Sequence, residues 1–308
     1  MLVVLSGGTG GAKLIQGISE EVDPAELTII CNTADDFVLH GLHISPDLDT
    51  IMYTLAGVAD GSKGWGIQDD TFTTLAQLRK LGAETWFQLG DQDLATHIMR
   101  TRLLREGLPL SKITARLNTC LGVKATILPM TDDAVETRVK TPQGEISFQE
   151  YFVKQRWQPE VKEIFYAGVQ SSNPSPGVIE AIERARRIII CPSNPVTSVG
   201  PILAVPGIRN AIKTANASVI GVSPIIGDSA ISGPAHKLMV AQGHEASALA
   251  VAQTYADLLD SFLIDRADEK VCGKIQRLGI KTSATSIRMD SHAEKRRLAR
   301  EVLALADK

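Results

Sequence analysis

Residues Gly7-Gly8-Thr9-Gly10-Gly11-Ala12-Lys13 follow directly on an apolar run, Leu2-Val3-Val4-Leu5-Ser6. Four glycines in five positions leave the backbone without Cβ atoms there. The chain can turn tightly and aim its N–H groups at an anion. An apolar helical pattern follows at Leu14, Ile15 and Ile18. The loop therefore opens a helix whose N-terminus carries unpaired donors and the positive end of a dipole. The chemistry implied is binding of a nucleotide or another phosphorylated ligand. Two familiar loops do not fit. Lys13 is followed by Leu14 rather than Ser or Thr, and no glycine pair has the G-x-x-x-x-G-K spacing of a Walker loop. Lys13 also stands where a dinucleotide fingerprint has its third glycine or alanine. The second strand ends in Asn32-Thr33 rather than in an acid that would hold a ribose. A nicotinamide oxidoreductase is disfavoured on both counts.

Carboxylates gather nearby. Asp35 and Asp36 close the stretch Asn32-Thr33-Ala34-Asp35-Asp36, and Asp47 and Asp49 lie in Ser45-Pro46-Asp47-Leu48-Asp49-Thr50. Phosphate chemistry usually needs a divalent metal to neutralise oxygens, and hard carboxylate ligands suit Mg²⁺. The same residues equally suit a helix dipole (Asp47, Asp49) or a solvated turn (Asp35, Asp36), and composition leaves both readings open. A second polar loop, Cys191-Pro192-Ser193-Asn194-Pro195 and on to Pro201, follows the run Arg187 to Cys191. Its prolines fix the turn, and Ser193, Asn194, Thr197 and Ser198 offer neutral hydrogen-bonding groups, as a ligand contact at a strand end requires. His40 and His43 are three apart without a cysteine partner and read as structural. His97 lies one turn inside a helix led by Gly90-Asp91, where packing is the expected role.

The elements that must position these groups alternate along the chain. Ser45-Pro46-Asp47 starts a helix, with Ser as cap and Pro at the first helical position. Further helices are predicted over 72–81, 91–106, 110–121, 176–185, near 235–241 and 246–259, and from 291 onward. Strands are predicted at 2–6, 27–31, 125–129, 164–169, 187–191 and 217–222. A hairpin is predicted over 135–141 and 145–148 about Pro142-Gln143-Gly144. This order gives an α/β fold: a doubly wound, mainly parallel, Rossmann-like sheet with an inserted helical and hairpin cap. A single α/β domain is expected over 1–308, with residues about 86–160 as the cap. Ligands should lie where strand ends meet at a switch point.

The 308 residues can bury a large core, and the net charge of −3 without a basic, aromatic-interleaved stripe excludes a general nucleic-acid binder. Cys31, Cys120, Cys191 and Cys272 never form C-x-x-C, so neither a zinc site nor a disulfide framework is expected. With no leader pattern and no apolar run of membrane-spanning length, a soluble cytoplasmic protein is expected, with no membrane partner.

Taken together, these segments closely resemble the 2-phospho-L-lactate transferases, the CofD family of coenzyme F-420 biosynthesis in methanogens and actinobacteria. The resemblance rests on the glycine loop Ser6 to Lys13, on Cys31-Asn32-Thr33-Ala34-Asp35-Asp36-Phe37, and on His40-Gly41-Leu42-His43-Ile44-Ser45-Pro46-Asp47-Leu48-Asp49-Thr50. It continues in Trp86-Phe87-Gln88-Leu89-Gly90-Asp91, Leu94-Ala95-Thr96-His97, Pro129-Met130-Thr131-Asp132-Asp133, Pro192-Ser193-Asn194-Pro195, Val222 to Gly227 and Gly233-Pro234-Ala235, covering residue 1 to about 270. The resemblance implies Mg²⁺ and two substrates. One is guanosine-diphosphate-activated lactate (or a phosphoenolpyruvate-derived relative), and the other is a deazaflavin riboside whose ribityl hydroxyl attacks phosphorus and releases GMP. It also implies a homodimer. On this reading Gly8, Thr9, Gly10 and Gly11 cradle the diphosphate, and Asp35, Asp36 and Asp49 hold Mg²⁺ or steer the hydroxyl, with Asp49 and Asp36 catalytic. Asn32, Trp86 and Gln88 serve the deazaflavin pocket, and Ser193 and Asn194 the guanosine side. Gln92 and Ser232 stand where relatives carry basic residues, so another cation must serve phosphate: Lys13, Arg100 or Lys237. The alternative is a non-catalytic, nucleotide-sugar-binding regulator of the same superfamily.

Overall fold

The computed structural model describes residues 1–227, 229–230, 233 and 235–305. Ser232 and Pro234 lie outside the described residues. The chain runs through β1 (Leu2–Ser6), α1 (Gly8–Ser19), β2 (Leu27–Cys31), the hairpin β3 (Phe37–Leu39) and β4 (Leu42–Ile44), α2 (Pro46–Leu55), α3 (Thr73–Lys80), α4 (Asp91–Arg105), α5 (Leu110–Cys120) and β5 (Thr126–Pro129). Next come β6 (Glu136–Thr141), β7 (Gly144–Ser147), β8 (Glu163–Ala167), α6 (Val178–Arg184), β9 (Arg187–Ile190), α7 (Val199–Ala204), α8 (Ile208–Thr214) and β10 (Ser218–Val222). The last stretch holds β11 (Ile225–Ile226), β12 (Ser229–Ala230), α9 (Ala235–Ala241), α10 (Ala248–Thr254), β13 (Ser261–Asp265), α11 (Cys272–Gln276), β14 (Lys281–Thr285) and α12 (His292–Leu305).

Seven strands form one sheet in the order β14-β13-β10-β9-β1-β2-β5, every neighbouring pair parallel. A parallel sheet carries helices on both faces, so its strands must be apolar on both sides. Alternate residues of each strand supply the two layers. Val3, Leu5, Ile30, Ile188 and Ile190 pack on one side with α6, α7, α8, α9 and α10. Val4, Ile29, Cys31, Ile189 and Cys191 pack on the other with α1, α2, α5 and α12. From β1 the chain winds outward through β2 to β5. It then returns to β9 beside β1 and winds the other way. The switch point therefore lies between β1 and β9, and the loops that leave those strands are the two polar loops of the sequence.

Within residues 86–160, β5 belongs to the central sheet, whereas β6 and β7 join β8 in a separate antiparallel sheet of order β7-β6-β8. Helices α7, α8 and α11 and strands β3, β4 and β11 to β14 lie outside the periodicity reading. The hairpin β3–β4 was hidden because its strands are three residues long. The run 261–265, which follows the helix expected over 246–259, is a strand buried along its length, β13, and the helix ends at Thr254. A short continuous apolar run has no period that separates the two states. Edge strand β14 carries polar residues and gave no signal. Among the described residues, no helix is long and apolar enough to cross a membrane.

Helices α1 and α12 approach closely at Gly17, where an added Cβ would lie 2.3 Å from the Lys295 carbonyl oxygen. Ala favours a helix interior over Gly by ~1 kcal/mol, but overpacking against backbone costs about 1–3 kcal/mol. Gly17→Ala is therefore expected to lower stability in chemical denaturation; an increase would show that α12 moves aside freely.

Candidate active site

The β1 loop enters α1 through Gly7, in extended geometry, and Gly8 at φ 69°. A positive φ here favours glycine. Gly10 serves a different need, because a Cβ there would lie 2.7 Å from the Pro192 carbonyl oxygen of the β9 loop. Ser193 Oγ donates to the Gly7 carbonyl at 2.7 Å and fastens the two loops. The first amides of a helix have no acceptor inside it. Gly8 N–H donates to Asp47 Oδ1 at 2.7 Å. The next two amides, of Thr9 and Gly10, have no acceptor within the helix, and both residues line the adjoining cavity.

Asp47 joins three elements. It sits in the first turn of α2, takes the Gly8 amide, and accepts from Asn32 Nδ2 at 2.9 Å. Asn32 also donates to the Thr197 carbonyl at 3.1 Å, while its own oxygen accepts from Ala34 N–H at 3.0 Å. Asn32 thus has its amide engaged inside the protein and is absent from the cavity wall. Burial first, and then repulsion by Asp47, hold the Asp35 carboxyl well above the usual range. Burial likewise raises Asp47 against the opposing pull of Asn32 and Gly8. Asp35 Oδ1 is buried without a hydrogen-bond partner among the described residues.

A second acidic centre lies deeper. Asp49 in the first turn of α2 is paired through both oxygens with Arg100 of α4. Arg100 is 1% exposed. His97 lies between two carboxylates, with Nδ1 3.6 Å from Asp49 and Nε2 3.2 Å from Asp93, and Tyr53 donates to Asp93 at 2.7 Å. Ligand atoms of Asp49, Asp93 and His97 lie within 4.8 Å of one another, a spacing compatible with a metal ion. Asp36 points elsewhere. It takes Ser45 Oγ at 2.6 Å and His43 Nε2 at 3.0 Å, and lines a separate cavity behind the β3–β4 hairpin.

A cavity of about 570 Å³ opens at the switch point. Gly8, Thr9, Gly10, Asp35, Asp49, Trp86, Gln88, Ser193 and Asn194 all face it, whereas Gly11, Lys13, Asn32 and Asp36 do not. Gly11 is buried against Ser6 and Ser193. Lys13 lies near Lys295 of α12, whose ammonium pKa is lowered first by burial and then by Lys13. The wall also includes Asp47, weighed in the sequence as a possible Mg²⁺ ligand, and residues that the sequence reading left without a site role: Tyr53, Lys63, Trp65, Phe87, Asp93, His97, Phe148 and Phe152. Phe148 and Phe152 stack with ring centroids 5.5 Å apart, and Trp86 packs on Phe37 and Phe87. Phe148 and Phe152 come from the segment after β7, and nothing in a local pattern links that segment to the glycine loop.

Fold and site define a Rossmann-like α/β enzyme with a glycine-rich loop and clustered carboxylates at its switch point. The family model described as 2-phospho-L-lactate transferase CofD matches residues 2–305, and the chain belongs to that family. It is 42% identical over 302 residues to a 2-phospho-L-lactate transferase of Methanosarcina mazei, covering 98% of this chain and 99% of the relative. It is 44% identical over 312 residues to a phosphoenolpyruvate transferase of Streptomyces griseus, covering 99% and 98%. Among solved structures it is similar to protein BH3568 of Bacillus halodurans, a member of the upf0052 family. That likeness has a TM-score of 0.65 at 17% identity and covers 98% of both chains, which shows the shared fold.

Removing the charge of Asp49 leaves the Arg100 guanidinium buried and unpaired. Asp49→Asn is expected to cost about 3 kcal/mol of stability, as breaking a buried pair does, and Asp49→Asn/Arg100→Met should recover part of it. Equal thermal midpoints for wild type and single variant would show that the pair carries no structural weight.

Proposed function

We propose that this enzyme transfers the phospholactyl group of lactyl-2-diphospho-5'-guanosine to the ribityl hydroxyl of 7,8-didemethyl-8-hydroxy-5-deazariboflavin, releasing GMP and forming the coenzyme F-420 precursor. The carrying observation is one cavity in which helix-opening amides, clustered carboxylates and an aromatic wall meet. The donor's diphosphate lies along Gly8 to Gly10, receiving hydrogen bonds from Thr9 and Gly10, with guanosine toward Ser193 and Asn194. Trp86, Phe87, Phe148 and Phe152 offer flat apolar faces to the tricyclic acceptor, beside Gln88. Relatives named for either donor match at similar identity, and support for the lactyl donor comes from the family description.

Asp49 accepts a hydrogen bond from the attacking hydroxyl and aims it at phosphorus, because Arg100 fixes both its oxygens. Asp36 acts at one remove: it holds Ser45, the residue that precedes α2, and so sets where Asp47 and Asp49 stand. Arg100 also places a positive charge against both Asp49 oxygens. Phosphoryl transfer of this kind depends chiefly on positioning and electrostatic stabilisation.

The acidic residues fit a bound Mg²⁺. An anionic donor beside Asp35, Asp47, Asp49 and Asp93 needs intervening positive charge, and Asp35 presents a buried oxygen without a partner among the described residues. Asp35 and the group Asp49, Asp93 and His97 are the residues that would hold the ion, which would supply neutralisation of the diphosphate oxygens. The protein acts in the cytoplasm as a homodimer.

Incubation with the deazaflavin riboside, activated lactate and Mg²⁺ should yield the phosphodiester and GMP by mass analysis. No product, with stabilisation by UDP-sugars instead, would favour the regulator. A second prediction concerns pH. Because the folded-state pKa values of Asp35 and Asp47 are raised, both contribute stability at low pH that is lost as pH rises through those values. A cation takes the deprotonated form. Mg²⁺ should therefore raise the thermal midpoint more at about pH 8 than at about pH 5, where carboxyls with raised values still hold protons. An equal rise at both would place the ion elsewhere.

A further inference from the structure

The cavity wall is acidic, with Asp35, Asp47, Asp49 and Asp93, and among its described residues the one Lys or Arg is Lys63. Of the other cations considered for phosphate, Lys13 is absent from the cavity wall. Arg100 is clamped by Asp49, and Lys237 donates to the carbonyls of Trp157 and Gln158 at 2.8 and 3.0 Å. Lys63 rides on the loop between α2 and α3. That loop is closed at its base by an antiparallel bridge between Ala59 and Ile67. Asp60 shapes its tip, taking Ser62 N–H at 2.9 Å and Lys63 N–H at 3.2 Å, while Asp60 N–H donates to the Gly66 carbonyl at 3.0 Å. Gly64 at the tip lies over the glycine loop, where an added Cβ would come within 3.6 Å of Thr9 Cβ. The Lys63 ammonium rests 3.0 Å from Asp60 and faces the rings of Trp65 and Phe72 at 5.6 and 5.3 Å.

We infer that Lys63 is the side-chain cation that binds the donor's diphosphate, carried over the β1 loop by the 59–67 loop. This rests on the donor reading above and names the residue that meets its charge. The resting pair with Asp60 is partly exposed, 40% on the lysine side. Such pairs contribute little, so Lys63 can leave Asp60 at small cost. A phosphate oxygen near the Thr9 amide gains a charge-assisted hydrogen bond in a partly water-excluded cavity, which is a stronger interaction. Trp65 gives the ammonium an aromatic face on which to turn inward.

The test uses Lys63→Ala and Lys63→Arg, with steady-state kinetics for both substrates and calorimetric titration of Mg²⁺–GDP. Lys63→Ala should raise the donor KM and the GDP Kd about 10- to 100-fold, the range for one hydrogen bond to a charged group. The acceptor KM should stay put, and Lys63→Arg should restore most of the GDP affinity. An unchanged donor KM and GDP Kd, or a change confined to the acceptor KM, would overturn the assignment. If wild type bound GDP but made no phosphodiester, the transfer reading would fail. The GDP titration would still decide the role of Lys63.

Discussion

The site depends on the hydrogen bonds that converge on Asp47. A carboxylate at the start of α2 receives the first amide of α1 and the side-chain amide of Asn32, and Asn32 reaches on to the β9 loop. The ends of β1 and β2 are thereby tied to one carboxyl group, and the β9 loop is joined to it through Asn32. The arrangement is costly, because Asp47 is buried beside Asp35 and both are held above their ordinary pKa. Burial of polar groups is tolerated when they are hydrogen-bonded. Asp47 meets that condition with both oxygens, whereas Asp35 leaves one oxygen without a partner among the described residues. The imbalance suits a site completed by a cation and a polyanion together.

Two kinds of carboxylate result from one short stretch of sequence. Asp47 looks toward the glycine loop, and Asp49, two residues on, looks toward Arg100 and His97. The helical turn at the start of α2 separates them by direction. One belongs to the switch point and its loops; the other joins the helix α4 that closes the site's far side. Ser45 and Asp36 set the start of α2, so the hairpin residue His43 is linked to the cavity through a chain of hydrogen bonds.

Much of the scaffold was legible in the sequence. The strands β1, β2, β9 and β10 are apolar runs with turn residues at their ends, and the two polar loops were placed at strand ends that proved to flank the switch point. The parts that were not legible depend on distance along the chain. Gly8 and Asp47 are 39 positions apart, and Asp49 and Arg100 are 51 apart. No local periodicity encodes such pairs. Glycine at position 10 suggested room for an anion, but it also gives room for the Pro192 carbonyl of a neighbouring loop. Lys63 escaped notice because its loop has no helical or strand period. Trp65 and the glycines around it (Gly61, Gly64, Gly66) were the available signal of a shaped loop.

On the proposed function, the Thr9 and Gly10 amides grip a diphosphate beside the buried acids. A crystal structure of the protein grown with GDP and Mg²⁺ would show that contact. Phosphate oxygens should lie within hydrogen-bonding distance of both amides, with the ion between them and Asp35. Diphosphate density elsewhere in the cavity, with those two amides turned to water, would contradict it.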